Sequence, residues 1–313
     1  MIDYKKDTFD AQMKAMIFAA GLGTRLKPLT DTMPKALVPV CGQPLLYHVL
    51  TKLVAAGYDD VIVNVHHFPD QIIDYLCVHD FGAKITISDE RDFLRETGGG
   101  IKHVRPLLDF STSPSAPLEM TEAGQCRSYE APLSFRPSEG SLSFRPSEGS
   151  LSFRPSEARG EILCDTPFLV HNVDIISNLD LKWLREQHRE DAVATVVVSE
   201  RETQRYLLFD EDGRLKGWTN VKTGEVRSPY PDIDPSKLRK LAFAGIHLMS
   251  PAIFDAFDKL GFGDRFSIMD FYIRACADYP IYAAVPPDFK MVDVGKYGSL
   301  PEAEATCAAI LRG

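Results

Sequence analysis

Apolar positions along this chain switch between short unbroken runs and stripes at helical spacing. Residues 15–18, Ala-Met-Ile-Phe, form a run of buried-strand type. Leu45, Leu46, Val49, Leu50, Leu53 and Val54 then recur with a helical period, and Gly57 supplies the stop. The β-branched run 60–65 reads as a strand, Pro69 as the first residue of a helix with Ile72, Ile73 and Leu76 inward, and 84–88 as another strand. A helix opens at Thr97-Gly98-Gly99-Gly100-Ile101 and runs toward Leu108. Strands that alternate with helices predict βαβ units, hence a parallel sheet with helices on both faces.

The pattern breaks between about 109 and 160, where Ser, Pro, Glu and Arg dominate and Leu-Ser-Phe-Arg-Pro-Ser-Glu begins at Leu133, Leu142 and Leu151. A polar unit repeated every nine residues is too short to stack a core, so the stretch reads as a disordered insertion. Order resumes with an apolar strand over 166–175, a helix over 180–189 and a β-branched strand over 192–198. A hairpin follows, its arms 205–210 and 214–218 joined by Glu211-Asp212-Gly213. The strand 243–248 comes next, then Met291-Val292-Asp293-Val294-Gly295 ahead of a terminal helix from about Leu300. Residues 1–12 carry no pattern and read as an N-terminal extension or an upstream start, leaving 13–313 as one interrupted domain.

Composition changes this picture little. The 313 residues are 44% hydrophobic and 25% charged, as in soluble globular proteins. A net charge of −9 argues against a protein that coats nucleic acid, and no apolar run reaches membrane-spanning length. The six cysteines form no C-x-x-C pair and no zinc spacing, which suits reduced thiols and a cytoplasmic location. His66, His67 and His79 read as structural or surface histidines, since a magnesium ion prefers oxygen ligands.

The chemistry concentrates after the first strand, in Ala19-Ala20-Gly21-Leu22-Gly23-Thr24-Arg25-Leu26 and on to Pro34-Lys35. Two glycines let the backbone turn and approach a ligand, and successive N–H groups there make an anion-binding concavity. Arg25 and Lys35 add positive charge, so the stretch describes a cradle for a nucleoside triphosphate. It is no P-loop, which needs G-x-x-x-x-G-K-[ST]. Nor is it a dinucleotide fingerprint, because Leu26 stands at the third glycine and 41–47 hold no carboxylate. Three glycines after Thr97 again suggest backbone meeting a ligand at a helix N-terminus. Asp174 falls at the end of a strand, where ligands of parallel sheets sit. Gly245 either brings strand backbone near a ligand or marks a bulge.

Residues 21–26 and 34–40 together closely resemble the signature of sugar-1-phosphate nucleotidyltransferases, the nucleotide-sugar pyrophosphorylases. Glu96-Thr97-Gly98-Gly99-Gly100-Ile101 is most similar to N-acetylmuramate-1-phosphate uridylyltransferases; mannose-1-phosphate guanylyltransferases more often carry Leu-Gly-Thr-Ala-Gly. The resemblance implies a Rossmann-like, mostly parallel sheet of nucleotidyltransferase type, with a small antiparallel sugar-side lobe and no C-terminal β-helix. It implies that Arg25, Lys35 and Asp174 are catalytic and that Ala20, Gly21, Gly23, Thr24, Thr97, Gly98 and Gly99 bind the nucleotide. Asn172 and Gly245 would meet the sugar, and Asp174 and Asp293 would hold Mg²⁺. Val173 departs from the family's Asn-Gly-Asp. The implied reaction joins an NTP, UTP first, to N-acetylmuramate 1-phosphate or a similar hexose phosphate and releases pyrophosphate. Mannose-1-phosphate guanylyl transfer from GTP is the alternative, and a non-catalytic nucleotide-sugar-binding regulator is the alternative of another class. No nucleic acid or membrane partner is expected.

Overall fold

The first apolar run forms β1 (Lys14–Phe18). In the computed structural model, which describes residues 13–108, 166–295 and 297–312, single helical turns at Thr24–Leu26, Leu29–Asp31 and Lys35–Leu37 follow it. The expected extension over 1–12 and the repeat insertion over 109–160 lie outside the described residues. A short hairpin, β2 (Pro39–Val40) and β3 (Gln43–Pro44), leads into α1 (Leu45–Ala55). Next come β4 (Asp60–Val65), α2 (Pro69–Val78) with Pro69 at its first turn, β5 (Lys84–Asp89) and α3 (Glu96–His103).

The chain resumes with β6 (Phe168–Asn172), β7 (Ile175–Ser177) and α4 (Leu181–Glu186). The Asp180 carboxylate caps α4 by accepting from the backbone N–H groups of Lys182 and Trp183. Four strands then build the second half: β8 (Ala194–Ser199), β9 (Arg205–Phe209), β10 (Leu215–Asn220) and β11 (Glu225–Arg227). The long β12 (Arg239–Met249) precedes α5 (Ala252–Lys259), α6 (Ile268–Ala275), β13 (Ile281–Ala284), β14 (Met291–Asp293) and α7 (Leu300–Arg312).

The main sheet runs β11-β10-β9-β12-β6-β1-β4-β5, with β8 and β13 attached beside β12. Strands β6, β1, β4 and β5 are parallel, as the βαβ pattern requires. β12 enters antiparallel to β6, and the β9–β10–β11 meander joins it edge to edge. The antiparallel part thus continues the same sheet instead of standing apart from it.

Both faces are apolar, since alternate residues of one strand enter opposite cores. Ala15, Ile17, Val61, Val63 and Leu169 pack with α1, α2, α4 and α7; Met16, Ile62, Phe168 and Val170 pack with α3, α5 and α6. No helix among the described residues is long and apolar enough to cross a membrane. Cys41, Cys276 and Cys307 are free thiols, whereas Cys77 is disulfide-bonded and departs from the expectation of reduced cysteines. The spacing of single cysteines carries no information on such a pairing.

At the N-terminal end of the parallel strands, Lys14 and Lys84 flank the buried Asp60, and Lys14 Nζ donates to the Leu107 carbonyl. Leu107 therefore lies at the base of β1, and Thr166 comes two residues before the base of β6.

Two histidines are buried in the sheet. His171 Nδ1 donates to the Asn172 carbonyl at 2.8 Å, and His247 Nδ1 meets the Tyr272 hydroxyl at 2.7 Å. Burial pushes both down to about 3, so they stay neutral in the fold. Between that value and about 6.5, where a free imidazole titrates, the unfolded chain binds more protons than the folded one. This contribution is fully present above about 6.5 and is lost as pH falls toward 3, by up to about 1.4 kcal/mol per pH unit for each histidine. Thermal melts from pH 7.5 down to 4 should therefore show a falling Tm, and His247→Phe should flatten that fall.

Candidate active site

A cavity of about 400 Å³ opens at the C-terminal ends of β1, β4 and β6, the end at which parallel sheets bind ligands. Ala20, Gly21, Lys35, Thr97, Asn172 and Asp174 line it. Its floor is set by Asn64 at the top of β4. The Asn64 side-chain carbonyl accepts from the N–H groups of Ala19 (2.8 Å) and Ala20 (3.2 Å), and its amide donates to Glu90 Oε1 at 2.9 Å. The loop's first turn is thereby pinned to the neighbouring strand. Glu90 is fully buried; burial pushes its carboxyl up, while the hydrogen bonds from Asn64 and the Arg95 N–H oppose that rise. Neither Asn64 nor Glu90 stands out in the sequence, because each occupies a strand end without a motif around it.

The two motif glycines of the loop differ. Gly23 has a φ of +63°, and a Cβ there would lie 2.7 Å from Thr30 Cγ2. Thr30 in turn donates to the Gly23 carbonyl at 2.8 Å, fixing the turn that starts at Thr24. Gly21 is exposed to the cleft, and a Cβ there would meet nothing within 4 Å. Gly21 is thus the open point of the loop.

Thr97-Gly98-Gly99-Gly100 lies at the start of α3, where its backbone also meets protein. The N–H groups of Gly98 and Gly99 donate to the Phe266 carbonyl at 2.9 and 3.2 Å. Added Cβ atoms would lie 2.2 Å from the Phe266 ring at Gly98, 2.2 Å from the Asp264 carbonyl at Gly99 and 3.2 Å from Glu90 Oε1 at Gly100. These glycines let α3 press against the segment before α6 and over the Asn64–Glu90 pair. Thr97 lines the cleft, and its hydroxyl accepts from the Ile268 N–H at 2.9 Å.

Two carboxylates meet across a short ribbon. After β6 the chain turns at Val173 and Asp174 and enters β7, which pairs antiparallel with β14 so that Asp293 faces Ile175. The Val294 N–H donates to the Asp174 carbonyl at 2.9 Å, closing the ribbon's end. Val173, where relatives of the motif carry glycine, buries its side chain in the core and has no left-handed backbone. Lys52 of α1 braces the other end by donating to the Ser177 carbonyl at 2.6 Å; burial pushes this amine down to about 8 against the attraction of Asp180.

Lys35 forms a largely buried ion pair with Asp174. Burial, then the neighbouring Asp174, push the Asp293 carboxyl up, while Lys35, Arg25 and Arg201 pull it down. Arg25 itself is exposed and reaches toward Gly295, where a Cβ would lie 3.2 Å from Arg25 Nη2 and 2.7 Å from Asp293 Oδ1. Arg25, Lys35, Asp174 and Asp293 therefore converge from four separate parts of the chain. Asn172 extends the group, and its amide packs on Gly245, whose φ of +75° marks an irregularity in β12. An ideal Cβ at Gly245 would lie 2.8 Å from Asn172 Nδ2, so the glycine makes room for that side chain.

Met291 and Asp293 alternate onto the same side of β14. Met291 lines a second cavity, of about 770 Å³, together with Arg201, Lys290 and Thr306 of α7. Arg201 donates to the Phe243 carbonyl at 3.1 Å and, although the sequence does not signal it, acts on Asp293. Among the described residues no group of three or more His, Cys, Asp or Glu converges. Two carboxylates offer only oxygen donors, a set that suits a hard divalent cation whose remaining ligands are phosphate oxygens and water.

Residues 14–112 match the family described as Nucleotidyl transferase. Over 97 residues the chain is 50% identical to an N-acetylmuramate alpha-1-phosphate uridylyltransferase of Caulobacter vibrioides, a match covering 30% of this chain and 40% of that protein. It is 38% identical over 104 residues to a mannose-1-phosphate guanyltransferase of Eremothecium gossypii, covering 33% of this chain and 28% of that one. These matches thus span less than half the length of either relative. In fold the likeness covers nearly the whole chain. HddC from Yersinia pseudotuberculosis superposes with a TM-score of 0.60 at 19% identity, over 94% of this chain and 98% of that one. The inositol-1-phosphate CTP transferase of T. maritima gives 0.63 at 11% identity, over 97% and 99%. The chain is thus similar in sequence to these transferases over about its first third, and in fold to the solved structures named over most of its length.

The glycines give a direct test of this geometry. Gly21→Ala should leave Tm within about 2 °C of wild type yet weaken nucleotide binding by about tenfold, since its Cβ enters only the open cleft. Gly99→Ala should lower stability by about 1–3 kcal/mol, because the Asp264 backbone cannot give way as a flexible side chain would. Melting curves and titration with a fluorescent nucleotide measure both.

Proposed function

We propose that this protein transfers a nucleotidyl group from an NTP to a sugar 1-phosphate, forming a nucleotide sugar and pyrophosphate. The observation that carries the reading is the convergence of Arg25, Lys35, Asp174 and Asp293 at the mouth of the cavity bounded by the Gly21 loop. Phosphate-binding groups and paired carboxylates are the equipment of phosphoryl chemistry, where positioning and charge stabilisation supply most of the rate. The similarity of residues 14–112 to nucleotidyl transferases supports the same reading.

In this reading the triphosphate lies along the loop, with Gly21 open to it and the base toward Thr97. An oxygen of the acceptor phosphate attacks the α-phosphorus in line, and the bond to the bridging oxygen of pyrophosphate breaks. Arg25, which is exposed, neutralises the departing pyrophosphate through its fork of donors. Lys35 leaves its contact with Asp174 to stabilise charge on the phosphates as the reaction proceeds. Asp174 and Asp293 would hold Mg²⁺, which when bound supplies Lewis-acid stabilisation and alignment of phosphate oxygens. The acceptor enters from the Met291 side, where Arg201 and Lys290 line the larger cavity and Arg201 also acts on Asp293. Its anionic phosphate would thereby pass two positive side chains on the way to the carboxylates.

UTP and N-acetylmuramate 1-phosphate are the first pair of substrates, on the Glu96–Ile101 wording and the 50% identity to the Caulobacter relative. GTP and mannose 1-phosphate form the second pair, which the similarity to mannose-1-phosphate guanyltransferases favours. Pyrophosphate release should be measured with Mg²⁺, each of four NTPs and a panel of sugar 1-phosphates. UTP with N-acetylmuramate 1-phosphate should give release, and Asp174→Ala should reduce it by at least about 100-fold with nucleotide binding largely kept. Release with GTP and mannose 1-phosphate alone would keep the mechanism and reverse the substrate choice. Nucleotide binding without release for any pair would favour a regulatory binder on the same fold.

A further inference from the structure

A pair of thiols sits where the terminal helix meets the hairpin. Cys41 and Gly42 form the two-residue turn between β2 and β3, with φ values of +49° and +75°. Paired left-handed residues are the usual geometry of such turns, but an L side chain adopts it only under constraint. The constraint comes from α7. The Cys41 N–H donates to Glu304 Oε2 at 2.7 Å, and the Cys41 thiol donates to the Glu304 carbonyl at 3.4 Å. Cys307 lies three residues further along α7, on the same side as Glu304, and its thiol is near enough to that of Cys41 to be affected by it. Cys307 is buried, whereas Cys41 is half-exposed.

We propose that Cys41 and Cys307 are a disulfide-forming pair, a redox modification site that fastens α7 to the β2–β3 hairpin. The two thiols differ in a way that sets the order of events. Cys307 is pushed up to about 12, first by burial and then by its contact with Cys41, so it does not ionise first. Cys41 is half-exposed and therefore open to an oxidant. With a small disulfide such as oxidised glutathione as oxidant, Cys41 loses its proton and attacks one sulfur, expelling a glutathione thiolate that takes up a proton. Cys307 then loses its proton and attacks Cys41 Sγ, expelling the second glutathione thiolate, which is protonated in turn. Two protein thiols become one disulfide and one glutathione disulfide becomes two thiols, so electrons and protons balance.

Selectivity follows from the fold. The remaining free thiol among the described residues, Cys276, is buried in the core on the opposite face of the sheet and is itself pushed up to about 12. The link would close a ring from 41 to 307, nearly the whole chain, and a long ring restricts the unfolded state strongly. It would also join the flanks of the catalytic segments, since β2 follows the Lys35–Leu37 turn and α7 follows Asp293 and Gly295.

The test exposes the full-length protein to excess oxidised glutathione and maps cysteine peptides by mass spectrometry without reduction. A Cys41–Cys307 peptide should appear, with a rise in Tm of roughly 5 °C that dithiothreitol reverses. Cys307→Ser should hold a glutathione adduct on Cys41 with no such rise, and Cys41→Ser should leave Cys307 unmodified. Wild-type protein that stops at the Cys41 adduct, links Cys41 to another cysteine or does not react overturns the proposal, without reliance on either variant. A Cys41–Cys307 link that leaves Tm unchanged overturns the fastening role.

Discussion

The antiparallel pairing of β7 with β14 is the contact on which the site rests. It sets Asp293 opposite Ile175 and ties Val294 to the Asp174 carbonyl, bringing together carboxylates far apart in the chain. Three residues a side is too short a ribbon to hold itself. Its stability comes from neighbours: Lys52 bonds the end of β7, Val173, Ile175 and Val292 enter the core, and Lys35 balances charge at the tip. Two carboxylates at close range repel, so a cation beside them is a condition for the ribbon to keep this register.

The same economy of contacts governs the loop above β1. Its N–H groups at Ala19 and Ala20 converge on Asn64, and Asn64 leans on Glu90. Burying the Glu90 carboxylate is costly unless its oxygens are bonded, which Asn64 and the Arg95 N–H accomplish. Gly100 then allows α3 to close over the pair. A polar chain thus links three strand ends, and no part of it can change alone without stranding a buried group.

Much of this was legible in the sequence. The βαβ alternation through β5, the hairpin between β9 and β10, and a strand over 243–248 that holds Gly245 emerge from period and turn chemistry alone, although β12 begins four residues earlier. So does the placement of Asp174 at a strand end. The rest depended on contacts that periodicity does not carry. β12 pairs with β6, β8 and β9, so the meander and the parallel core share one sheet, a matter of partner choice. The glycines after Thr97 carry the same letters for a ligand-facing loop and for close helix packing, and only the fold shows the packing on Phe266 and Asp264. Asn64, Glu90 and Arg201 sit in ordinary surroundings of sequence, and their roles arise from what the fold sets beside them.

The segment between Leu108 and Thr166 has both its ends at one pole of the sheet. Leu107 is tied to Lys14 at the start of β1, and Thr166 precedes Phe168 at the start of β6. The cleft lies at the other end of those strands, roughly 15 Å away at a strand's rise per residue. Closure entropy grows only slowly with the length of an inserted segment. The two ends of the intervening segment are therefore anchored at the pole of the sheet opposite the cavity. A designer adding a reporter between these anchors would attach it by its ends to that pole, so length added there leaves the two fixed points of the sheet where they are.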